Sequence, residues 1–160
     1  MTTDAEHNLP IDQFLTYRIL TLTSRLNRQA MQILEEACGL RLPEWRCMAM
    51  IGRRGQIGLF TISDIAGMDR GLVSRSIQSL VEQGLVVTER DVEDRRIVRA
   101  ALTEAGEAIF QKTFPVMQRR QLRLLSALSP DDQEAFYRIM DCLAGSIDAW
   151  EIEQKSHAVV

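Results

Sequence analysis

The middle of the chain holds two predicted helices separated by a glycine turn, and this arrangement limits the fold more than any other feature. Apolar residues three or four positions apart predict a short helix over Leu59–Ala66, which ends at Gly67. A second helix is predicted from Asp69, a residue type common at helix N-caps, to Gln83, and Gly84 ends it. The segment therefore predicts a helix-turn-helix.

Two β-rich segments follow the second helix. Residues 85–90 and 97–102 favour strands, and the charged loop 91–96 between them predicts a β-hairpin. A hairpin directly behind a helix-turn-helix is typical of a winged helix-turn-helix. The predicted fold class is therefore mainly α with a small β-hairpin wing.

Long amphipathic helices are predicted on both sides of this segment. Apolar residues recur at steps of three and four over residues 11–37. Further helices are predicted from Pro43 to near Gly55, from Glu104 toward Leu128 with a kink at Pro115, and from Pro130 to Trp150. A single helix at each end cannot bury its whole apolar stripe against so small a core, so we predict a homodimer that pairs through these ends.

The length and composition indicate one globular domain between two tails. The 160 residues are 46% apolar and 26% charged, which suits a single domain. The predicted divisions are a flexible N-terminal tail 1–10, a domain 11–150 and a flexible C-terminal tail 151–160, with dimerisation helices in 11–41 and 104–150 and a winged helix-turn-helix lobe in 42–103.

Composition also disfavours several classes of protein. No apolar run reaches the roughly 18 residues of a membrane span, and the acidic N-terminus does not resemble a signal peptide, so we expect a cytoplasmic protein without a membrane partner. Cys38, Cys47 and Cys142 lack the spacing of a zinc site or a disulfide framework, and no metal or other cofactor is predicted. Reduced thiols are expected, with a redox-sensing thiol as the alternative.

Enzyme activity is not predicted. The only histidines, His7 and His157, lie in the predicted tails, and the chain has no phosphate-binding loop or nucleophile elbow. No catalytic residue is therefore assigned. Trp45 and Phe60 are residue types more typical of a core than of a ligand site.

The predicted second helix has one face of small, polar and basic residues that suits the DNA major groove. Arginine pairs with guanine and glutamine with adenine, while a short serine permits close approach and bonds a phosphate. Arginines in the hairpin loop would reach an adjacent minor groove. The net charge of −3 does not exclude this, because specific binding needs only a local basic patch. The candidate DNA-binding residues are Arg70, Gly71, Ser74, Arg75, Gln78, Arg95 and Arg96. A solvated helix face and an ordinary charged turn are the alternatives.

Several motifs resemble the MarR family of bacterial regulators. The stretch Leu42-Pro43-Glu44-Trp45-Arg46 is similar to the start of that family's second helix, and Val73-Ser74-Arg75 to its recognition helix. Asp94-Arg95-Arg96, followed by Leu102-Thr103-Glu104-Ala105-Gly106, resembles its wing and the cap of its next helix. Ile62 and Ser63 depart from the usual Leu-Ala pair, and Gly58 replaces the common Ser or Thr cap.

The resemblance implies a ligand-responsive repressor that binds a pseudo-palindromic operator as a homodimer. Arg96 is then the expected minor-groove residue, and Asp94 orients an arginine instead of touching DNA. A small aromatic or amphipathic effector is expected near Trp45 and Arg46, between the dimerisation helices and the DNA-binding lobe. The alternative function is a winged-helix protein-interaction module without specific DNA binding, which the acidic balance permits.

Overall fold

The computed structural model describes residues 9–157, and the side chains up to residue 150. The helices are α1 (Leu15–Ala37), α2 (Leu42–Arg54), α3 (Leu59–Ala66), α4 (Arg70–Glu82), α5 (Glu104–Leu125) and α6 (Pro130–His157). The strands are β1 (Ile57–Gly58), β2 (Val86–Arg90) and β3 (Val98–Leu102). The predicted fold class, mainly α with a small β-wing, is confirmed.

The helix-turn-helix is formed by α3 and α4, and local signals set its boundaries. Gly67 ends α3 with a left-handed φ of +58°, a conformation that side chains with a Cβ rarely adopt. At the start of α4, Asp69 Oδ1 accepts the backbone N–H of Leu72 at 3.0 Å, as an N-cap does. In α3, the Ser63 hydroxyl is buried and donates to the Met68 carbonyl at 2.6 Å, so the departure from Leu-Ala is accommodated.

The wing is a three-stranded antiparallel sheet of order β1-β3-β2, one strand more than the predicted hairpin. Strands β2 and β3 pair from Val86 opposite Leu102 to Arg90 opposite Val98. The additional β1 pairs Ile57 with Ala100. A strand of two residues shows no alternating pattern, and for this reason it was missed.

The chain divides into two compact units, and the division falls at Met117–Gln118 inside α5. In the first unit, α2, α3, α4 and the sheet enclose a core whose fully buried side chains include Met48, Ile51, Ile62, Val73 and Leu80. The predicted division into dimerisation helices and a lobe over residues 42–103 stays a prediction.

The start of the first helix and the end of the last helix differ from the predicted boundaries. A 3₁₀ turn at Ile11–Gln13 and the extended residue Phe14 precede α1, so the predicted helix from Ile11 begins four residues later. Residues 1–8 of the predicted N-terminal tail lie outside the described residues. At the other end, α6 continues to His157, seven residues beyond the predicted helix end at Trp150, and the flexibility of the tail 151–160 stays a prediction. Residues 151–157 contain no glycine or proline that would end a helix.

Helix α5 runs through Pro115 and ends at Leu125, short of the predicted Leu128. The next helix starts as predicted, because Ser129 Oγ accepts the Asp132 N–H at 3.2 Å. None of the helices in the described part of the chain is long and apolar enough to cross a membrane.

Large apolar side chains are exposed on α1 and on α6. Those on α1 include Leu15, Ile19 and Leu22, and those on α6 include Phe136, Ile147 and Trp150. Both helices were predicted to be amphipathic, and in the single chain much of each apolar stripe remains accessible to solvent.

Candidate nucleic-acid interface

Helix α4 has a buried face and an exposed face. Its buried residues are Val73, Ser76, Ile77 and Leu80, and they anchor the helix on the core. Its exposed or half-buried residues include the predicted contacts Arg70, Gly71, Ser74, Arg75 and Gln78. Arg70, Ser74 and Gln78 are four positions apart, and so are Gly71 and Arg75. The two rows are adjacent, so all five residues lie along one helix face. The structure thus brings together the helix residues selected from the sequence, and their contact with DNA stays a prediction.

Gly71 leaves space that the Arg75 side chain uses. A Cβ at Gly71 would lie 3.2 Å from Arg75 Nη1 and 3.0 Å from Asp69 Oδ1. The Arg75 guanidinium therefore lies over the first turn of α4, close to the N-cap carboxylate. A side chain at position 71 would displace the guanidinium or the cap. Glycine at position 71 therefore leaves room for the Arg75 guanidinium, and its predicted role in the close approach of DNA stays a prediction.

Arg70, the first residue of α4, contacts an exposed aromatic ring. Its Cζ lies 4.8 Å from the centroid of the Phe60 ring, within cation–π range. Phe60 is 51% exposed and belongs to the first turn of α3. The expectation that Phe60 is a core residue was wrong, because its neighbours Ile62 and Ser63 occupy the buried face of this short helix.

A single carboxylate organises the wing loop between β2 and β3. Asp91 Oδ1 accepts the backbone N–H groups of Glu93 at 2.9 Å and Asp94 at 3.1 Å, and Oδ2 accepts from Arg99 Nε. The backbone hydrogen bond from Asp94, followed by the Arg99 bond, lowers the pKa of Asp91 below its ordinary value. The ionised side chain therefore closes the loop and joins it to β3.

Asp94 closes the tip of the same loop. Its Oδ1 accepts the backbone N–H of Arg96 at 2.9 Å, and its carbonyl accepts the N–H of Ile97 at 2.9 Å. Asp94 thus bonds the backbone of an arginine, and its proposed role in orienting Arg96 stays a prediction. Arg95 and Arg96 are both exposed. Arg95 also lines an open hollow of about 480 Å³ together with Arg90, Asp91 and Val92.

A buried carboxylate connects α2 to α4. Glu44 is 3% exposed, and its Oε2 accepts the Arg41 backbone N–H at 2.8 Å. Its Oε1 accepts Arg41 Nε at 2.9 Å and the Ser79 hydroxyl at 2.8 Å. Burial alone would raise the pKa of Glu44, but the hydrogen bonds from Arg41 and Ser79 lower it overall. The cluster fixes α4 against the start of α2.

Replacing Glu44 with glutamine should destabilise the fold by about 1.5–3 kcal/mol at neutral pH, because charge-assisted hydrogen bonds to a buried group are lost. Since folding lowers the pKa of this carboxyl, its contribution is complete above the ordinary value of 4.5 and disappears as the pH falls through the folded-state pKa. Urea unfolding at pH 7 and at lower pH would show the difference between wild type and Glu44→Gln shrinking with acid. The exposed Glu35→Gln is the control. A difference that does not vary with pH would contradict this role of the charge.

The two predicted effector-binding residues differ in burial. Trp45 is 5% exposed and stacks on Phe110, with ring centroids 6.3 Å apart, so it belongs to the core. Arg46 is exposed, and its Nη2 donates to Asn27 Oδ1 of α1 at 3.2 Å. An effector site at this pair stays a prediction.

The thiols differ in accessibility. Burial, followed by the neighbouring charge of Glu44, raises the pKa of Cys47 to about 11 and disfavours the reactive thiolate. Cys38 is half-buried and donates to the Leu34 carbonyl, while Cys142 is exposed. This arrangement disfavours Cys47 as a redox-sensing thiol.

Sequence reasoning missed Phe60 and Asp91, and it also missed the Arg41–Glu44–Ser79 cluster that holds α4 in place. Asp91 had a local signal, because aspartate at the start of a polar loop commonly bonds the backbone two residues ahead. The other two join residues from different helices, and Ser79 lies 35 positions from Glu44. No spacing rule in a single sequence points to such a pair.

Helix α3, the turn at Gly67, helix α4 and the sheet behind them define a winged helix-turn-helix protein. Residues 39–97 match the model of the MarR family. An uncharacterized helix-turn-helix transcriptional regulator of Bacillus subtilis, YkoM, is 32% identical over 96 residues, which are 60% of this chain and 62% of that protein. The chain is therefore similar to the MarR family over residues 39–97, and it spans less than two thirds of the length of this relative.

Solved structures show the same fold. A MarR/EmrR family regulator from Acinetobacter sp. ADP1 superposes with a TM-score of 0.80 at 24% identity, over 88% of this chain and 99% of that one. Staphylococcus aureus MepR, solved as a DNA complex, superposes with a TM-score of 0.76 at 17% identity, over 84% of this chain and 98% of MepR.

Proposed function

We propose that this chain is a DNA-binding transcriptional regulator that acts as a homodimer on a pseudo-palindromic operator. The observation that carries the proposal is the exposed face of α4, whose arginines, serine and glutamine project from a helix anchored on the core by its opposite face. The chain shares its fold with MepR, a protein that was solved as a DNA complex.

The proposed contacts follow from the chemistry of each side chain. Arg75 and Gln78 would read base edges in the major groove, where arginine recognises guanine and glutamine recognises adenine. Ser74 would bond a phosphate. Gln78 donates to Glu82 Oε1 at 3.0 Å in the free chain, so base contact would exchange that bond for one to DNA. Arg95 and Arg96 would enter the minor groove from the wing.

The exposed apolar residues of α1 and α6 support a dimer. Burial of apolar surface contributes roughly 25 cal/mol per Å², and both helices expose several large side chains. A dimer would place two recognition helices about 34 Å apart, one turn of DNA.

We further propose that the protein represses transcription and responds to a small aromatic or amphipathic effector. Support comes from the family resemblance and from the exposed Arg46 beside α1. An effector that binds one dimer geometry better than another would alter DNA affinity through a coupling of about 1–3 kcal/mol.

A competition titration tests the proposal. Full-length protein would be titrated on the intergenic DNA beside its own gene, with random DNA as competitor, at several salt concentrations. We expect a nanomolar complex that weakens with salt and that random DNA displaces poorly. If the titration shows no preference over random DNA, a genome-wide DNA selection is the next experiment. If that selection shows no sequence preference either, the proposal of a DNA-binding regulator fails, and a protein partner for the winged helix is favoured. Sedimentation of a monomer at micromolar concentration would contradict the dimer.

A further inference from the structure

Phe60 places a large aromatic ring in solvent directly beside the candidate recognition helix. The side chain is 51% exposed and is absent from the buried cluster that holds α3 on the core. The ring contacts the guanidinium of Arg70, whose Cζ lies 4.8 Å from the ring centroid. Phe60 thus joins the first turn of α3 to the first residue of α4. A half-exposed phenylalanine contributes little to the core, and the contact with Arg70 is what distinguishes this ring from other exposed apolar side chains.

The cation–π contact leaves most of the hydrogen-bonding capacity of Arg70 available. The guanidinium carries five N–H donors, and a contact with one ring at 4.8 Å leaves most of them available for hydrogen bonds. A free arginine loses rotamer freedom when it binds, and this loss weakens binding. An arginine already held on a ring loses less. The ring therefore restricts the side chain without occupying the donors that a nucleic acid would accept.

We propose that Phe60 is a positioning residue for DNA binding and that it acts through Arg70. The ring holds the guanidinium at the N-terminal end of α4, with its donors available to acceptor oxygens and nitrogens of DNA. The inference rests on the proposed function and adds a residue from α3 to the recognition surface. It also gives Arg70 a specific function in binding, in place of that of a solvated helix residue.

Aromatic and aliphatic replacements at position 60 distinguish the effect of the cation–π contact from the effect of side-chain size. Phe60→Leu keeps an apolar side chain but removes the π face, whereas Phe60→Tyr keeps the ring. We expect Phe60→Leu to weaken specific DNA binding about two- to fivefold, as an exposed cation–π contact allows, and Phe60→Tyr to bind like wild type. Ile65→Ala, at another exposed apolar position of α3, is the matched control and should not change affinity. Thermal unfolding of each variant checks that the fold is retained.

A double-mutant cycle identifies Arg70 as the mediator. If Phe60 acts through Arg70, adding Phe60→Leu to Arg70→Ala should cause no further loss of affinity. Equal losses from Phe60→Leu in both backgrounds would overturn the proposal, as would equal affinities of the Leu and Tyr variants. Tighter binding by Phe60→Leu would also overturn it, because the ring would then withhold Arg70 from DNA. These outcomes leave specific binding by wild type intact; absence of that binding would instead defeat the proposed function, and this inference with it.

Discussion

Replacing Gly106 with alanine should destabilise the fold by about 3 kcal/mol or more, the largest effect we expect from any single methyl group in this chain. A Cβ at this position would lie 2.0 Å from the Leu85 carbonyl oxygen and 3.0 Å from its carbon. That oxygen already accepts the Thr103 N–H at 3.1 Å, and the Thr103 hydroxyl donates to the Gly84 carbonyl at 2.7 Å. The segment that leads into β2 and the start of α5 are therefore held together by two hydrogen bonds and cannot separate freely.

Urea denaturation followed by circular dichroism measures this effect. Gly145→Ala is the matched control, because Gly145 lies within α6 and a Cβ there meets nothing within 4 Å. That change should be neutral or should stabilise by up to about 1 kcal/mol, the difference in helix propensity between the two residues. A Gly106→Ala protein as stable as wild type would show that the backbone at Leu85 moves easily, contrary to this explanation.

The second large effect is expected from Arg75. Arg75→Ala should weaken specific DNA binding about 10- to 100-fold, since a bidentate arginine contact contributes about 1–3 kcal/mol of discrimination. Stability should remain nearly unchanged, because the side chain is exposed. The measurement is a competition titration on the preferred DNA, together with thermal unfolding of the same preparation.

A control of equal charge distinguishes a specific contact from general electrostatics. Arg54→Ala removes one positive charge from an exposed position in the last turn of α2 that is assigned neither to DNA contact nor to the dimer. It should change affinity little, whereas Arg96→Ala in the wing should weaken binding without unfolding the protein. If Arg75→Ala and Arg96→Ala both bind the preferred DNA as tightly as wild type, the assigned contacts are wrong.

Most helix boundaries were predictable because their causes are local. Gly67 and Gly84 both adopt positive φ, and Asp69 caps α4 through the residue three positions ahead. The motif from Thr103 to Gly106 has a local cause as well, because the Thr103 hydroxyl accepts the Gly106 N–H at 3.0 Å. The exposed face of α4 also followed from the sequence, since helical periodicity assigns residues to faces without knowledge of the partner.

The candidate interface was predictable only in part. The arginines of α4 and of the wing were selected from their positions, and their contact with DNA stays a prediction; the contacts that organise the wing loop and hold Arg70 were not predicted. Asp91 bonds Arg99 across the hairpin, and Phe60 meets Arg70 across the turn between two helices. Such contacts depend on how elements pack, and many pairings are compatible with one pattern of residue types.

The sequence by itself determined the order of the helices and of the two hairpin strands, the ends of most helices and the polar face of α4, because capping, backbone conformation and periodicity act over a few residues. Tertiary structure alone decided that Ile57 joins the sheet, that the Glu44 carboxylate is buried against Ser79, and that Gly106 contacts the Leu85 carbonyl. These features arise where segments distant in sequence come within van der Waals distance, and local propensities carry no information about that proximity.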